Sequence, residues 1–244
     1  MNFEEQLAAD VREIEEILKW YLPKEEGYAK TVAEAVNYSV LAGGKRLRPM
    51  LLLECCRLFG GREELAAPFM AAIAFIHTYS LVHDDLPCMD NDEYRRGRKT
   101  THAVYGEGMA VLAGDALLNL AFETASSAFS LTENEEELRR AARAMQILSA
   151  KSGIGGMIGG QCADTQAEEF PPEKVTQELL LYIHENKTAA MIESPMMIGA
   201  LLAGAEKEKL EALERIGSKI GLAFQIRDDI LDLTSSLEEL GKQT

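Results

Sequence analysis

Cysteine is scarce in this 244-residue sequence, which carries only Cys55, Cys56, Cys88 and Cys162. No two of them have the CxxC spacing, and no histidine lies at the spacing expected of a zinc ligand. The pattern therefore indicates neither a disulfide framework nor a zinc site. We expect reduced, mostly buried thiols in a cytoplasmic protein.

Positive charge is also in short supply, because 25 lysines and arginines face 40 aspartates and glutamates and the formal net charge is -15. Such a chain repels a phosphate backbone, so nucleic acid is a poor candidate for a partner. An anionic ligand would need local basic groups or metal ions to overcome the negative field of the chain.

The sequence has no long apolar run without an interruption. His77, Thr78 and Ser80 interrupt one apolar stretch, and Glu193 and Pro195 interrupt another. These interruptions argue against a transmembrane span. The first residues, MNFEEQLAADVREIEE, are acidic and amphipathic, unlike a signal or transit peptide. We therefore expect no stable membrane insertion.

Alternating apolar and polar residues, which indicate strands, are missing, and nearly every segment has the period of a helix. With 47% hydrophobic residues the chain can form one sizeable core, so residues 1–244 are predicted to be a single all-α domain. Asn2 with Glu5 and Thr132 with Glu135 are predicted capping boxes. The first helix is predicted between Asn2 and Pro23, and the others from Tyr28 to Leu41, Pro49 to Gly60, Leu65 to Asp85, Gly108 to Phe129, Glu135 to Ala150, Ile158 to Ala167, Pro172 to Leu202, Glu206 to Leu213 and Leu213 to Leu233.

The segment SGIGGMIGGQ is rich in glycine and lies in or beside a predicted helix. No GK[ST] sequence and no preceding strand accompany it, so it is not a phosphate loop. Close helix–helix contact is the favoured interpretation, and direct ligand contact is the alternative. The glycines are Gly153, Gly155, Gly156, Gly159 and Gly160.

A first acidic cluster, HDDLPCMDNDEYRR, follows the apolar segment 66–82. On an unbroken helix Asp84 and Asp90 would point about 120° apart, at about 100° per residue. Pro87 prevents an unbroken helix, so the chain can fold Asp90 back toward Asp84. Asp85 lies on a neighbouring face, where it is expected to support the other two acids.

A second acidic cluster, FQIRDDILD, lies about 140 residues later. Gln225, Asp228, Asp229 and Asp232 project from one side of a helix that is otherwise apolar. Carboxylates in a packed helix need a partner, and oxygen ligands without histidine or cysteine favour Mg²⁺. Two such clusters could hold a diphosphate through metal ions; the alternative is two unrelated acidic helix ends.

Several basic residues lie beside glycines or acidic clusters, which indicates local anion sites. Arginine suits bidentate contact with phosphate. Each residue alone is more simply a solvated surface cation. His77 is either a core histidine or a residue on the face of Asp84. The basic candidates are Lys45, Arg48, Arg95, Arg96, Lys187 and Lys242.

Six blocks in order resemble the trans-prenyltransferases that build linear isoprenoid diphosphates, most closely the bacterial farnesyl diphosphate synthases. The blocks are GGKRLRP, HTYSLVHDDLPCMDNDEYRRG, LAGDALL, GGQCAD, NKTAAMI and GLAFQIRDDILD. The resemblance implies an isoprenoid-synthase-type helical bundle around a central cavity, a homodimer, and three Mg²⁺ ions per active site.

The resemblance also implies roles for individual residues. Lys187, Thr188 and Gln225 would position the reacting groups, with the Thr188 oxygen near the developing cation. Metal ligation is implied for Asp84, Asp90 and Asp228, with Asp85, Asp229 and Asp232 as supporting acids. Isopentenyl diphosphate would contact Lys45, Arg48, His77 and Arg96, and the allylic diphosphate would contact Arg95, Lys187, Gln225 and Lys242.

The implied reaction is the Mg²⁺-dependent head-to-tail condensation of isopentenyl diphosphate with dimethylallyl or geranyl diphosphate. Tyr79 lies five residues before Asp84, about 7.5 Å along a helix, where a phenol ring beside the small Ser80 can form the floor for a growing prenyl chain. We therefore predict a farnesyl product, the activity of a geranyltranstransferase, with a geranylgeranyl product second.

Two further classes stay open. A non-catalytic partner subunit on the same fold would be expected to lose acids from one cluster, and both clusters are present. A terpene cyclase needs no second diphosphate site, so Lys45, Arg48 and Arg96 speak against it. The chain ends at Thr244, whereas the family continues, so we expect the C-terminal helices of the domain to be missing.

Overall fold

A computed structural model describes residues 2–234 of the chain, with the backbone alone for residues 229 and 232–234. Almost all of this part is helical, as predicted. The α-helices are α1 (Phe3–Tyr21), α2 (Lys30–Val40), α3 (Leu47–Leu58), α4 (Glu63–Asp84), α5 (Thr101–Tyr105), α6 (Glu107–Ser127), α7 (Glu135–Ser152), α8 (Met157–Glu168), α9 (Gln177–Ile183), α10 (Ala190–Leu202) and α11 (Lys207–Thr234).

Shorter elements join these helices. The strands β1 (Tyr94–Arg95) and β2 (Arg98–Lys99) pair antiparallel as a small hairpin. A π-helical segment, His184–Ala189, joins α9 directly to α10. Turns of 3₁₀ helix lie at Gly27–Ala29, Ala128–Leu131 and Pro172–Lys174.

The helix ends confirm one predicted capping box and correct the other. Asn2 and Glu5 cap α1 reciprocally, as predicted. The cap of α7 is Asn134, whose side chain accepts from the Glu137 N–H at 2.9 Å. Thr132 was the wrong choice because its hydroxyl donates to the Phe129 carbonyl, while Asn134 immediately precedes the helix and is an equally good cap.

Three further predictions need correction. Residues 207–234 form one helix rather than two, and Gly217, the glycine nearest to residue 213, lies inside the helix without ending it. The hairpin and the five-residue α5 were missed because elements this short carry no period. All four cysteines are free, but Cys88 and Cys162 are exposed, so only Cys55 and Cys56 are buried as expected.

By their internal contacts the described residues form two compact units. Unit 1 comprises residues 2–50 and 67–127, and unit 2 comprises residues 51–66 and 128–234.

Helix α4 contributes large apolar side chains to the core of unit 1, and its Phe69, Ile73, Phe75 and Ile76 are fully buried. Within the described residues, α4 is the one helix long and apolar enough to cross a membrane. Of its most apolar 18-residue window, 78% is buried inside the structure. A core helix meets the same criteria of length and composition, so α4 is weak evidence for a span.

The centre of unit 2 is α10, which packs against α7 and α11 and is buried along almost its whole length. Its one acid, Glu193, is 7% exposed and pairs with Lys151 of α7. Lys151 also pairs with Glu214 of α11 at 2.7 Å. Because a buried carboxylate needs a partner, this network explains how Glu193 is tolerated and ties three helices together.

Candidate active site

The first acidic cluster lies in unit 1, in the loop that leaves the C-terminus of α4. Asp84 is the last residue of the helix, and its carbonyl accepts a hydrogen bond from the Asp90 N–H at 2.8 Å. The Asn91 N–H similarly donates to the Leu86 carbonyl at 3.1 Å. The loop therefore folds back as Pro87 predicts, and it brings the backbones of Asp84 and Asp90 together.

Asp85 is 4% exposed, its Oδ1 atom accepts a hydrogen bond from Nε of Arg95 at 2.7 Å, and Nη2 of Arg95 lies 2.6 Å from the same oxygen in an ion pair. Burial raises the pKa of Asp85, although the hydrogen bond from Arg95 opposes the shift. Burial alone would lower the pKa of Arg95, but the hydrogen bond and the charge of Asp85 outweigh it and raise that pKa. In the structure Arg95 is therefore paired with Asp85.

The hairpin that carries Arg95 and Arg96 turns through two residues in the left-handed region, Arg96 (φ +54) and Gly97 (φ +74). Two positive φ values match the primed turns that suit a two-residue hairpin. The Arg96 Nη1 atom donates to the Gly43 carbonyl. A Cβ at Gly44 would lie 2.5 Å from Arg96 Nη1, so only glycine leaves room for this guanidinium.

Tyr38 of α2 fixes the other strand of the hairpin. Its hydroxyl donates to the Lys99 carbonyl at 2.7 Å, and the Arg98 guanidinium lies 4.4 Å from its ring centroid. The second contact is a cation–π interaction. Sequence reasoning missed both contacts, because they join residues about 60 positions apart.

Arg48 and His77 form a direct contact within unit 1, with Arg48 Nη1 3.2 Å from His77 Nε2. Because arginine can only donate, Nε2 is the acceptor and Nδ1 carries the ring proton. Burial, reinforced by the Arg48 charge, lowers the pKa of His77 well below its ordinary value. His77 is therefore neutral at pH 7.

The surroundings of Arg48 disfavour its positively charged form. Burial, with a contribution from Arg96, lowers its pKa to about 10. Its Nε atom is shielded from solvent and has no hydrogen-bond partner among the described residues. A guanidinium with a shielded, unused Nε donor, close to the second arginine Arg96, is suited to bind an anion.

The other two cations of GGKRLRP behave differently. Arg46 donates to Glu15 Oε1 at 2.6 Å and to the Val40 carbonyl at 2.7 Å, so it anchors the backbone. Lys45 is exposed. The assignment of Lys45 and Arg48 to isopentenyl diphosphate stays a prediction.

The candidate floor residues lie one turn before the cluster on α4. Tyr79 is 6% exposed, and burial, with the Asp84 charge, raises the pKa of its phenol to about 12. Its ring meets the His83 ring edge to face, with 5.8 Å between the centroids. The Ser80 hydroxyl donates to the His77 carbonyl at 3.0 Å.

In unit 2 the candidate residues gather around the π-helical segment. Lys187 Nζ donates to Asp164 Oδ2 of α8 at 2.5 Å. Thr188 is buried, and its Oγ1 donates to Gln225 Oε1 of α11 at 2.9 Å. The structure thus brings Lys187, Thr188 and Gln225 together, and π-helical turns are frequent at functional sites.

Two glycines make these contacts possible. A Cβ at Gly160 of α8 would overlap the Lys187 backbone N and lie 2.7 Å from its Cα. A Cβ at Gly221 of α11 would overlap Ala189 Cα and lie 2.5 Å from its Cβ. One turn beyond each glycine, at the fourth residue, stand Asp164 and Gln225. Close contact with another segment is therefore confirmed at Gly160, whereas a Cβ at Gly153 or Gly156 would meet only the end of α7.

Asp164 was missed as an individual residue by sequence reasoning. The block GGQCAD contains both Gly160 and Asp164, and their i, i+4 spacing puts them on one face of α8. A glycine that admits a neighbouring backbone, followed one turn later by an acid, was the available signal. Gly155 gives no such signal, since a Cβ there would meet nothing within 4 Å.

The second acidic cluster is only partly described. Asp228 of α11 is half-buried and stands three residues after Gln225. The side chains of Asp229 and Asp232, and all of Lys242, lie outside the described residues. In the part of the chain that the structure describes, no group of three or more histidine, cysteine or acidic side chains is placed to hold a metal ion.

The chemistry of the described donors nevertheless suits Mg²⁺. Asp84 is half-buried and Asp90 is exposed, so solvent reaches both residues, and Asp85 is buried against Arg95. Accessible carboxylate oxygens, with room for water and phosphate oxygens, are the ligands that Mg²⁺ prefers.

Comparison with known sequences gives a consistent result. The family model for polyprenyl synthetases matches residues 29–244. The chain is 50% identical over 212 residues to geranylgeranyl pyrophosphate synthase 3, chloroplastic, of Arabidopsis thaliana, covering 87% of this chain and 58% of that protein. It is 47% identical over 211 residues to the chloroplastic geranylgeranyl pyrophosphate synthase of Catharanthus roseus, covering 86% and 57%. The chain thus spans less than two thirds of these curated relatives.

Solved structures agree with the sequence matches. An FPP/GFPP synthase from Zymomonas mobilis superposes with a TM-score of 0.88 at 35% identity, covering 96% of this chain and 82% of that chain. A geranyltransferase from Helicobacter pylori, crystallised with magnesium and isoprenyl diphosphate, superposes with a TM-score of 0.85 at 37% identity, covering 98% and 78%. The all-α fold is that of these proteins.

Proposed function

The chain belongs to the polyprenyl synthetase family, and we propose that it acts as a prenyl diphosphate synthase, which joins isopentenyl diphosphate to an allylic prenyl diphosphate. The observation that carries the proposal is the Arg48–His77 pair. The Nε donor of Arg48 is shielded from solvent and unused, which is costly unless an anion or another acceptor completes it.

The residues of unit 1 suit the diphosphate of isopentenyl diphosphate. Arg48 can offer the free Nε donor, and the exposed Lys45 and the nearby Arg96 can add charge. Neutral His77 accepts from Arg48 and so holds the guanidinium plane in one orientation. A fixed, planar guanidinium matches the paired oxygens of a phosphate group.

The residues of unit 2 suit the allylic substrate. Lys187 can supply a point charge for its diphosphate, with Asp164 fixing the ammonium group. Thr188 and Gln225 hold each other as fixed dipoles, which can stabilise positive charge as it develops on the allylic carbon. The double bond of isopentenyl diphosphate attacks that carbon, and the departed diphosphate accepts the proton that is then lost.

Mg²⁺, held by Asp84, Asp90 and Asp228, would supply charge that makes the allylic diphosphate a better leaving group. Three ions per active site and a homodimer are part of the same proposal, supported by family membership. The name of the Helicobacter pylori complex, which includes magnesium, supports the choice of metal.

We propose farnesyl diphosphate as the product, because the buried Tyr79 ring stands five residues, about one and a half turns, before Asp84. Geranylgeranyl diphosphate is the second candidate, favoured by the names of the curated relatives at up to 50% identity.

The test supplies the purified chain and Mg²⁺ with labelled isopentenyl diphosphate and with dimethylallyl, geranyl or farnesyl diphosphate in turn. Products are sized by chromatography after removal of the diphosphate. We expect a fifteen-carbon alcohol from the first two starters. Elongation of farnesyl diphosphate would select the geranylgeranyl candidate, and no condensation with any starter would overturn the proposal.

A further inference from the structure

Helices α4 and α6 are in contact next to Tyr79, through residues to which the proposed reaction assigns no role. We propose that His83 and Gly114 determine product length, because they hold the Tyr79 ring in place from the side of α6. This inference rests on the proposed synthase function and extends it to two residues outside the substrate-binding set.

His83 links Tyr79 to α6. It follows Tyr79 by one turn on the same face of α4, and the two rings meet edge to face at 80° with 5.8 Å between centroids. Its Nε2 lies 3.2 Å from the Val111 carbonyl of α6. Because a carbonyl can only accept, Nε2 carries the proton, and the imidazole is fixed at both ends.

Gly114 is the point where α6 accepts this ring. A Cβ at Gly114 would overlap Nε2 and Cδ2 of His83 and would lie 2.8 Å from Cε1. The three nearest atoms to that Cβ all belong to His83. The imidazole therefore rests on the bare backbone of α6, and no side chain fits there without displacing it.

These contacts form a series: the phenol of Tyr79, the imidazole of His83, and the backbone at Gly114. Packed interiors transmit small displacements, because a side chain that is moved must move its neighbour. A methyl group at Gly114 pushes the imidazole toward the phenol. Removal of the imidazole leaves the phenol without support on one side, so the ring can yield to a longer prenyl chain.

The experiment compares His83→Ala, Gly114→Ala and the double variant with wild type, using dimethylallyl and isopentenyl diphosphates. The readouts are the product-length ratio and kcat/KM. Gly108→Ala is the matched control, since it lies on the same helix and a Cβ there would meet nothing within 4 Å. His83→Gln tests whether an amide that reaches Val111 preserves the wild-type product.

We expect His83→Ala to raise the ratio of longer to wild-type product about tenfold, the effect of about one methylene in an apolar pocket. Gly114→Ala should lower that ratio, and Gly108→Ala should leave it unchanged. In the His83→Ala background Gly114→Ala should have little further effect, because the three nearest atoms to its Cβ are gone. Such non-additivity is the signature of two residues acting in series.

Several outcomes would overturn the inference. It fails if Gly114→Ala behaves like Gly108→Ala, or if the two substitutions are additive in the double variant. Should Gly114→Ala not fold, as judged by circular dichroism, unchanged product length in folded His83→Ala would decide against it. Absence of condensation by wild type would instead refute the proposed function, so the two failures are distinguishable.

Discussion

The two units hold their candidate residues by different physical means. In unit 1 the side chains are held by charge and hydrogen bonds within a loop and a hairpin, as in the Arg95–Asp85 pair. In unit 2 they are held by helix backbones that approach closely at Gly160 and Gly221. A contact between polar side chains of a loop can lose one charge while the fold is retained. A close contact between two helix backbones cannot accept even one added methyl group unless one of the helices moves.

The largest effect should come from removing a carboxylate in unit 1. Asp84→Asn should lower kcat/KM about a thousandfold, because the lost charge is the one that would hold a metal ion. The fold should persist, since α4 is held by its apolar core. Steady-state assays and thermal unfolding check both statements. Glu93→Gln, an exposed acid of the same loop, should change neither, and an equal loss there would break the comparison.

In unit 2 a single methyl group should damage stability and activity together. Gly221→Ala forces α11 away from Ala189, which should cost about 2 kcal/mol of unfolding free energy and weaken the Thr188–Gln225 hydrogen bond. Denaturant unfolding and kcat measure the two effects. Gly155→Ala, in open space, is the control. A Gly221→Ala protein that is stable and fully active would contradict the account of unit 2.

A charge change in unit 2 should have an intermediate effect. Asp164→Asn removes the ionic partner of Lys187, which should lower kcat/KM for the allylic substrate about tenfold, the value of one charge-assisted hydrogen bond. KM for isopentenyl diphosphate should not change. Glu168→Gln, an exposed acid one turn later on α8, is the matched control. An effect confined to isopentenyl diphosphate would reverse our assignment of Lys187.

The smallest effect should be a pH dependence of stability in unit 1. Because His77 has a pKa well below 6.5 in the folded state, it is neutral when folded and binds a proton when unfolded. Its contribution is present above pH 6.5 and is lost as pH falls below that value, with a slope of at most about 1.4 kcal/mol per pH unit. Denaturant unfolding between pH 5 and 8 measures this slope, and His77→Gln should reduce it. An unaltered slope would show that another group is responsible.

Sequence reasoning succeeded where the determining residues are neighbours in the chain. Asn2 and Glu5 cap α1 as predicted, and Pro87 does force the loop that joins Asp90 to Asp84. The all-α fold follows from a helical period that runs through nearly every segment.

It did not find the contacts between residues that are distant in the chain. Arg95 was assigned to a diphosphate, and its role there stays a prediction, but its partner in the structure is Asp85, which only the hairpin brings near. The π-helical segment was predicted as part of an ordinary helix. Its wider turn depends on contacts with α8 and α11, which no local pattern records.

The wider turn of the π-helical segment changes the direction in which the side chains of α10 point around the helix axis. A π turn accommodates one more residue than an α turn, so it offsets the following helix by about 100° relative to an uninterrupted one. Lys187 and Thr188 therefore point toward their hydrogen-bond partners on α8 and α11. The apolar faces of α10 point in a different direction and pack against α7 and α11. Because of the π-helical segment, Lys187 and Thr188 can face their partners while the helix that continues from them keeps its apolar side chains packed in the core.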